Sequence, residues 1–378
     1  MVVLVGMGER MSERFLPIYL LALGGGALAI GILNGLQNLL NAVYSYPGGW
    51  IAERVGAKRA LLLFNALAIA GYTAAIVAPS WPVVIGASVL FLSWSALSLP
   101  ATMQIVARAL PPTQRTMGVS MHSLVRRIPM ALGPLAGGAL IAGFGEVRGV
   151  RLAFGGALAM ALVAIVVQQR WIDDDAPLAG AVRPPAHPLA LWRSFRPELR
   201  SLLVSDVLIR FCEQIPNAFV VVWCMKSIAS PISAWQFGVL TAIEMATAAL
   251  CYVPVAALAD RGEKKPFVLL TFVFFTLFPL ALGGAQSFAW LVPVFVLRGL
   301  KEFGEPTRKA LILDLAPADR RAAAFGLYYL IRDTIVSIAA LGGAFLWQVS
   351  PATNLGTAVA CGAAGTLWFA ARGRSDRP

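Results

Sequence analysis

Acidic and basic residues recur at helical spacing inside long apolar stretches of this chain. Near the N-terminus, Glu9 and Glu13 are four residues apart, as are Arg10 and Arg14, and Arg10 lies three residues before Glu13. An ionisable side chain at the centre of a bilayer costs roughly 2.5–3.5 kcal/mol on insertion scales, so such groups persist mainly where they pair or line a wet cavity. The chemistry they support is an exchange of partners, in which arginine binds an anion and a carboxylate binds and releases a proton.

A second charged stretch repeats the first. Asp206, Arg210 and Glu213 follow one another at intervals of four and three residues, so they share one helix face. The spacing of Arg210 and Glu213 is the same as that of Arg10 and Glu13. Both sets therefore predict an internal ion pair that an incoming substrate anion can replace.

The most charged apolar stretch lies further along the chain. Its spacing predicts i,i+4 pairs between Arg298 and Glu302 and between Lys301 and Glu305. The corresponding stretch in the first half, residues 92–100, carries no charge, so the predicted function is asymmetric. The remaining candidate coupling or substrate-binding residues inside apolar segments are Arg126, Arg127, Glu244, Arg332 and Asp333.

These charges must be positioned by membrane helices. The chain of 378 residues is 58% hydrophobic and only 13% charged, whereas charged residues make up about a quarter of a soluble domain. A helix needs about 20 apolar residues to cross the hydrocarbon core, and solid apolar runs of that length exclude a closed sheet. Twelve segments are predicted near residues 1–23, 28–51, 60–78, 82–107, 117–143, 149–171, 201–228, 235–259, 266–285, 288–315, 322–348 and 353–371.

The distribution of basic residues predicts the orientation. Lys and Arg concentrate in the even-numbered connections and the C-terminal tail, and few, such as Arg148, Arg151 and Lys226, fall on the opposite side. Positive charge is retained in the cytoplasm, so both termini are expected there. The net charge of +12 is then a feature of topology, and no nucleic-acid partner is predicted. The four cysteines show no metal-ligand spacing, and no metal or cofactor is expected.

A repeated loop carries a family resemblance. Residues 49–59 have the sequence Gly-Trp-Ile-Ala-Glu-Arg-Val-Gly-Ala-Lys-Arg, and a degraded copy, Ala-Ala-Leu-Ala-Asp-Arg-Gly-Glu-Lys-Lys, occupies 256–265. This pattern after the second apolar segment resembles the loop motif of the major facilitator superfamily of secondary transporters. The predicted gating residues are Gly49, Glu53, Arg54, Gly56, Lys58 and Arg59 in the first copy and Asp260, Arg261, Lys264 and Lys265 in the second.

The resemblance implies an all-α membrane protein with twelve transmembrane helices in two pseudo-symmetric six-helix bundles. The expected organisation is an N-terminal bundle at 1–171, a cytoplasmic linker at 172–200, a C-terminal bundle at 201–371 and a tail at 372–378. In this family the first, fourth, seventh and tenth helices line the central cavity, so the charged stretches around Arg10 and Arg210 are expected to face each other across it.

A second element supports the same family. Residues 129–138 resemble the Gly-Pro-x-x-Gly-Gly element of the superfamily's antiporters, although Pro129 replaces its upstream glycine. The element favours export, and its small residues are suited to close helix packing. The residues of this predicted packing motif are Gly133, Pro134, Gly137 and Gly138.

The sequence thus predicts a monomeric transporter in the cell membrane that works by alternating access and exports a small anionic or zwitterionic solute, coupled to protons. Two alternatives stay open. One is an importer or facilitator of an organic anion, and the other is a membrane sensor or scaffold that kept the fold but lost transport. An enzyme is not expected, because the sequence contains no nucleophile elbow, phosphate-binding loop or zinc-ligand spacing.

Overall fold

The computed structural model describes residues 2–92, 94, 115–172, 192–193, 195–259, 264–316 and 321–373. Most of the predicted linker, at 173–191, lies outside this part, as do Asp260, Arg261 and the end of the tail. The side chains of Glu53 and Arg54 are also outside the description, although their backbone is helical.

The described chain is helical and contains no strand. The helices of its first half are α1 (Val2–Glu13), α2 (Leu16–Ala22), α3 (Ala27–Val55), α4 (Ala57–Val77), α5 (Trp81–Phe91), α6 (Arg115–Phe144) and α7 (Glu146–Trp171). Those of the second half are α8 (Pro197–Asn217), α9 (Ala234–Ala259), α10 (Lys264–Gly284), α11 (Phe288–Leu300), α12 (Glu305–Leu315), α13 (Arg321–Val349) and α14 (Pro351–Arg372). After α8 come a short turn of helix, Val220–Val222, and a π-helical turn, Trp223–Ser227.

Helices α1 to α14 fall within or close to the twelve predicted segments. In the described part of the chain, six helices are long and apolar enough to cross a membrane, or seven if α8 and residues 220–227, bent by 41°, form one span. The first and tenth predicted segments each consist of two shorter helices. The all-α membrane fold is confirmed, and the number of twelve crossings remains a prediction.

Proline and glycine account for these interruptions. Pro17 and Pro306 each occupy the first turn of the helix after a break, where the missing N–H group removes the bond that would continue the preceding helix. Between α11 and α12, residues 301–304 form a turn, and the Gly304 amide donates to the Thr271 hydroxyl at 2.7 Å. The charged tenth segment is therefore bent at its most charged point.

The predicted loop after the second segment is shorter than expected. Helix α3 continues through Gly49 as far as Val55, and α4 begins at Ala57, which leaves Gly56 as the whole connection. Gly56 has a φ of +88°, a left-handed conformation that glycine adopts without strain. The prediction that Gly49 opens the loop is therefore wrong, because a single glycine suffices to turn the chain.

Contacts between Cα atoms divide the chain into two compact units. Unit 1 comprises Met1–Ala181, Cys224–Lys226 and Ile232–Ala242, and unit 2 comprises Val182–Trp223, Ser227–Pro231 and Ile243–Pro378. Unit 1 has a core of aromatic rings in which Tyr72 and Phe154 both pack on Phe91, at centroid distances of 5.4 and 5.3 Å. The core of unit 2 lies between α8, α10 and α12 to α14, and it includes Phe272, Phe275 and Tyr328.

Glycines let the helices that carry the charges pack closely. In unit 1, a Cβ at Gly133 would lie 2.5 Å from the Arg10 Cβ, and one at Gly137 would overlap the Met11 carbonyl oxygen. In unit 2, a Cβ at Gly343 of α13 would overlap the Ile215 carbonyl oxygen of α8. Small residues thus bring α6 against α1 and α13 against α8 at backbone distance.

Candidate functional site

An ion-pair network in unit 2 connects α8 with the turn after α11, with α12 and with α13. It contains four carboxylates and four basic groups. The carboxylates belong to Asp206, Glu213, Glu305 and Asp333, and the basic groups belong to Arg210, Lys301, Arg308 and Arg332.

Asp206 is the most buried acid of this network. Its Oδ2 atom accepts hydrogen bonds from Arg308, from Tyr328 Oη at 3.1 Å and from Arg332 Nη1 at 3.4 Å. The side chain is 1% exposed. A carboxylate without water needs such donors, because burying an uncompensated charge is very costly.

Glu305 is shared by two arginines. Its Oε1 atom accepts from Arg210 Nη2, and its Oε2 atom accepts from Arg308 Nη2 at 2.8 Å. Arg210 also donates through Nη1 to Glu213 at 2.5 Å, so its planar fork holds two acids from two helices. Glu213 in turn accepts from Lys301 Nζ at 2.5 Å.

Aromatic faces complete the surroundings of the cations. Arg210 and Lys301 both lie over the ring of Phe275, at 5.4 and 5.3 Å from its centroid. Arg332 lies 4.0 Å from the centroid of Tyr329. Cation–π contacts of this kind stabilise a desolvated cation without supplying a hydrogen-bond acceptor.

Glu302 differs from the other acids of this region. It lies close enough to Glu305, Lys301 and Glu213 to interact with them electrostatically. Its side chain makes no hydrogen bond or ion pair to any residue that the structure describes. Glu302 is therefore an acid of this region without a salt-bridge partner among the described residues, while Lys309 of α12 adds a further positive charge near Glu305.

A separate buried ion pair joins α9 to α11. Arg298 Nη1 lies 3.3 Å from Glu244 Oε2, and both side chains are about as buried as Asp206, at 3% and 2% exposed. Arg298 also donates to Asn217 Oδ1 at the end of α8 and lies over the ring of Phe278 at 5.1 Å. Arg298 of α11 thus contacts both α9 and the C-terminal end of α8.

The predicted pairing within the tenth segment does not match this arrangement. The i,i+4 pair of Lys301 with Glu305 is wrong, because the turn at 301–304 breaks the helical register between them. Lys301 contacts Glu213 and Glu305 contacts two arginines instead. Arg298 likewise finds Glu244 on a neighbouring helix, where the sequence predicts Glu302.

Among the described residues of unit 1, the corresponding contacts centre on Arg10 and Glu13. Arg10 Nη1 donates to Glu13 Oε2 at 2.5 Å, the i,i+3 pair that the spacing allows, and the other Glu13 oxygen accepts from the Gln37 amide at 2.5 Å. Glu9 is buried, and Arg126 of α6 lies near Arg10 and Glu9. Arg127 and Arg14 are both half-buried, Arg14 at the break between α1 and α2.

Residues of the two repeated loops contact neighbouring helices near their C-terminal ends. Gln168 of α7 donates to the Lys58 carbonyl at 2.7 Å, and Arg59 is exposed. Lys264 forms an ion pair with Asp314 near the end of α12, and Lys265 donates to the Ala370 carbonyl at 3.1 Å. Lysine at the C-terminal end of a helix satisfies a free carbonyl and complements the helix dipole.

Sequence reasoning does not identify three residues of these sites: Arg308, Tyr328 and Asn217, which accepts a hydrogen bond from Arg298. Arg308 is three residues after Glu305, and this i,i+3 spacing is the signal that points to it. Tyr328 carries no such signal, because tyrosine is common in apolar segments. Among the described residues, no group of His, Cys, Asp and Glu side chains has the geometry to hold a metal ion.

Apolar helices of membrane-spanning length around a buried, charged network define a polytopic membrane protein. A sequence model of the Major Facilitator Superfamily matches residues 1–235 and 202–378, which together cover the chain. The chain therefore belongs to the major facilitator superfamily and is a multi-pass membrane transporter of that family.

The relatives support this assignment. An uncharacterized MFS-type transporter of Methanocaldococcus jannaschii is 21% identical over 375 residues, covering 91% of this chain and 86% of that protein. A POT family transporter solved with a thioalcohol-conjugated peptide has a TM-score of 0.76 at 15% identity, covering 98% of this chain and 94% of its own. The nucleoside transporter NupG has a TM-score of 0.77 at 15% identity, covering 97% of this chain and 98% of its own.

Proposed function

We propose that this transporter is secondary active, works by alternating access and couples the movement of a small anionic or zwitterionic organic solute to protons. The observation that carries the proposal is the unit 2 network. In it, each basic group binds an acid that a second basic group also binds. One further acid, Glu302, forms no ion pair with any described residue. Buried charges in a membrane are costly, so an extended network of them favours a site that binds charged species.

Arginine supplies the anion-binding part of the proposal. When Arg210 leaves for a substrate anion, Glu305 keeps Arg308 and Glu213 keeps Lys301. When Arg332 leaves, Asp206 keeps Arg308, and Asp333 is 30% exposed and can be solvated. POT family transporters have been solved with sulfate and with 5-aminolevulinic acid, which carries a carboxylate and an amine. Ligands of this kind are consistent with a site that offers both arginines and an acid, Glu302, that forms no ion pair with the described residues.

Glu302 is the proposed proton carrier. Glu305 is clamped by two guanidinium groups, which keep it charged and resist a proton. Glu302 lacks such a clamp, so it can accept a proton, or the amine of a zwitterionic substrate, when the site is open to water. Of the candidate carboxylates Glu13, Glu213, Glu302, Glu305 and Asp333, Glu302 is therefore the one proposed to carry the proton.

Orientation and direction complete the proposal. Both termini are proposed to lie in the cytoplasm, because most basic residues of the connections fall on that side. Export is proposed from the Gly-Pro-x-x-Gly-Gly element of α6, and a monomer is the proposed working unit. Uptake into inverted membrane vesicles, compared with right-side-out vesicles, measures the direction.

The coupling test uses purified protein in liposomes. A ligand screen by thermal stabilisation first finds an acidic or zwitterionic substrate, since a ligand of the native state raises apparent stability. We expect Glu302→Gln to abolish transport driven by a pH gradient while substrate counterflow continues, because exchange moves no net proton. Asp314→Asn is the matched control, since this acid pairs with Lys264 outside the network.

Two outcomes contradict the proposal in different ways. Gradient-driven transport that is intact in Glu302→Gln removes this residue as the proton carrier. A substrate that proves to be a lipophilic cation, with no effect of charge substitutions in the network, removes the anion-binding role of the arginines.

A further inference from the structure

Arg308 is the fully buried arginine of the unit 2 network. It is the largest fully buried side chain among those described, with 1% of its side chain exposed, and it lies on α12 between α8 and α13. Through one nitrogen it contacts Asp206, and through another it contacts Glu305 at 2.8 Å. It therefore links the two acids that hold the more exposed arginines.

We propose that Arg308 is a fixed counter-ion, a positioning residue that keeps Asp206 and Glu305 neutralised so that Arg210 and Arg332 can leave them for a substrate anion. The proposal rests on the anion-binding function proposed above and names the residue that makes it possible. Arg308 itself does not contact the substrate in this scheme.

The sharing of Glu305 is the first step of the argument. Arg210 reaches its Oε1 atom, and Arg308 Nη2 contacts both Oε1, at 3.1 Å, and Oε2, at 2.8 Å. When Arg210 turns away, Arg308 still donates to both oxygens of Glu305. The buried acid therefore keeps a charged partner, and the penalty for leaving a lone buried carboxylate does not arise.

Asp206 is likewise shared between Arg308 and a second arginine, Arg332. Its Oδ2 atom accepts from Arg308 and, at the longer distance of 3.4 Å, from Arg332. Arg332 also has Asp333, at 2.7 Å, and Asp333 is 30% exposed. Arg332 can therefore move toward the exposed side while Asp206 keeps Arg308 and the Tyr328 hydroxyl.

Burial decides which of the three arginines stays. Arg210 is 16% and Arg332 7% exposed, whereas Arg308 is 1% exposed. Arg308 and Arg332 also share the ring of Tyr329, at 6.0 and 4.0 Å from its centroid. The least exposed guanidinium hydrogen-bonds to both acids, whereas Arg210 hydrogen-bonds to Glu305 and reaches Asp206 only at 4.0 Å. Arg308 is therefore the fixed member, and the other two are the exchangeable members.

The experiment compares Arg308→Gln with the charge-neutral double variant Glu305→Gln plus Arg308→Gln. In the double variant Arg210 no longer needs to leave a charged Glu305, and Glu213 keeps Lys301 when Arg210 leaves. Asp206 keeps Arg332, so the recovered binding is that of Arg210. Using sulfate as the probe, we expect Arg308→Gln to weaken binding at least about tenfold and the double variant to recover to within about threefold of the unchanged protein. Arg308→Lys keeps the charge but not the fork, so it should fall between them.

A second readout does not depend on any ligand. In a Glu302→Gln background, infrared spectroscopy should show one additional protonated carboxyl group in Arg308→Gln, because the surplus buried acid takes up a proton rather than remain charged. The additional band should be absent from the double variant. A purely structural ion pair also predicts recovery of folding in the double variant, because removing both partners leaves no lone buried charge. It predicts, however, that sulfate binding is the same in all variants that fold.

These readouts separate the two levels of inference. If sulfate and acidic solutes do not bind the unchanged protein, the anion-transport proposal fails, and the infrared comparison still decides the role of Arg308. A double variant as impaired as Arg308→Gln in folding, in sulfate binding and in its carboxyl band overturns the counter-ion proposal. Sulfate binding by folded Arg308→Gln that equals binding by the unchanged protein also overturns it, since Arg308 is then a purely structural partner.

Discussion

The two units use the same local motif and surround it differently. In unit 1, Arg10 pairs with Glu13 at 2.5 Å, and in unit 2, Arg210 pairs with Glu213 at 2.5 Å. The second oxygen of Glu13 accepts from the neutral amide of Gln37. The second oxygen of Glu213 accepts from the ammonium group of Lys301, and Arg210 itself holds a further acid.

This difference shows that an i,i+3 ion pair is a local property, whereas its electrostatic setting is not. In unit 1 the second Glu13 oxygen contacts a neutral amide, and the further charges near the pair are those of Glu9 and Arg126. In unit 2 it belongs to a network of four acids and four basic groups, in which each change of partner alters several others. Unit 2 is therefore the region in which binding of an anion or a proton is expected to have the larger effect.

The largest expected difference concerns stability. Asp206→Ala should lower the free energy of unfolding by about 3–5 kcal/mol, because it removes the acid that faces Arg308 and Arg332 in a buried site. Glu13→Ala should cost about 1–2 kcal/mol, since Arg10 is 20% exposed and can reach water. Unfolding titrations in mixed micelles measure both. Equal costs would show that the two regions are electrostatically alike.

A smaller effect tests what the two units share. Gly137→Ala and Gly343→Ala should each destabilise by about 1–3 kcal/mol, because the new methyl group meets a backbone carbonyl of the neighbouring helix. Gly143→Ala and Gly342→Ala are the matched controls, since a Cβ at either position meets nothing within 4 Å. Thermal unfolding of the four variants should separate the pairs, and controls as unstable as the test variants would rule out the packing explanation.

The smallest expected effect distinguishes the two arginines in ligand binding. Arg210 uses two nitrogens to hold Glu213 and Glu305, whereas Arg10 hydrogen-bonds to Glu13 and lies near a second acid, Glu9. Arg210→Lys should therefore weaken binding of an acidic ligand about tenfold, and Arg10→Lys less than about threefold, because lysine loses the planar fork but keeps the charge. Titration calorimetry provides the affinities. A larger loss in Arg10→Lys would reverse the comparison.

Much of the helical fold follows from the sequence. The apolar segments predict where the helices lie because, in lipid, each backbone N–H and C=O group must be paired within the segment itself. The same rule does not predict the turn at 301–304, since the Gly304 amide finds a partner in the Thr271 hydroxyl of another helix. It also does not predict that α3 stays helical to Val55 and leaves Gly56 to make the turn.

By itself, the sequence determined the helices, their family and the two Arg-x-x-Glu pairs, since hydrophobic length and i,i+3 spacing are properties of short stretches of chain. Only the tertiary structure decided which acids share which cations. Arg210 meets Glu305 95 positions later, and Asp206 meets Arg308 and Arg332 at separations of 102 and 126 residues. Such pairings depend on how the helices break and pack, and no local spacing encodes them.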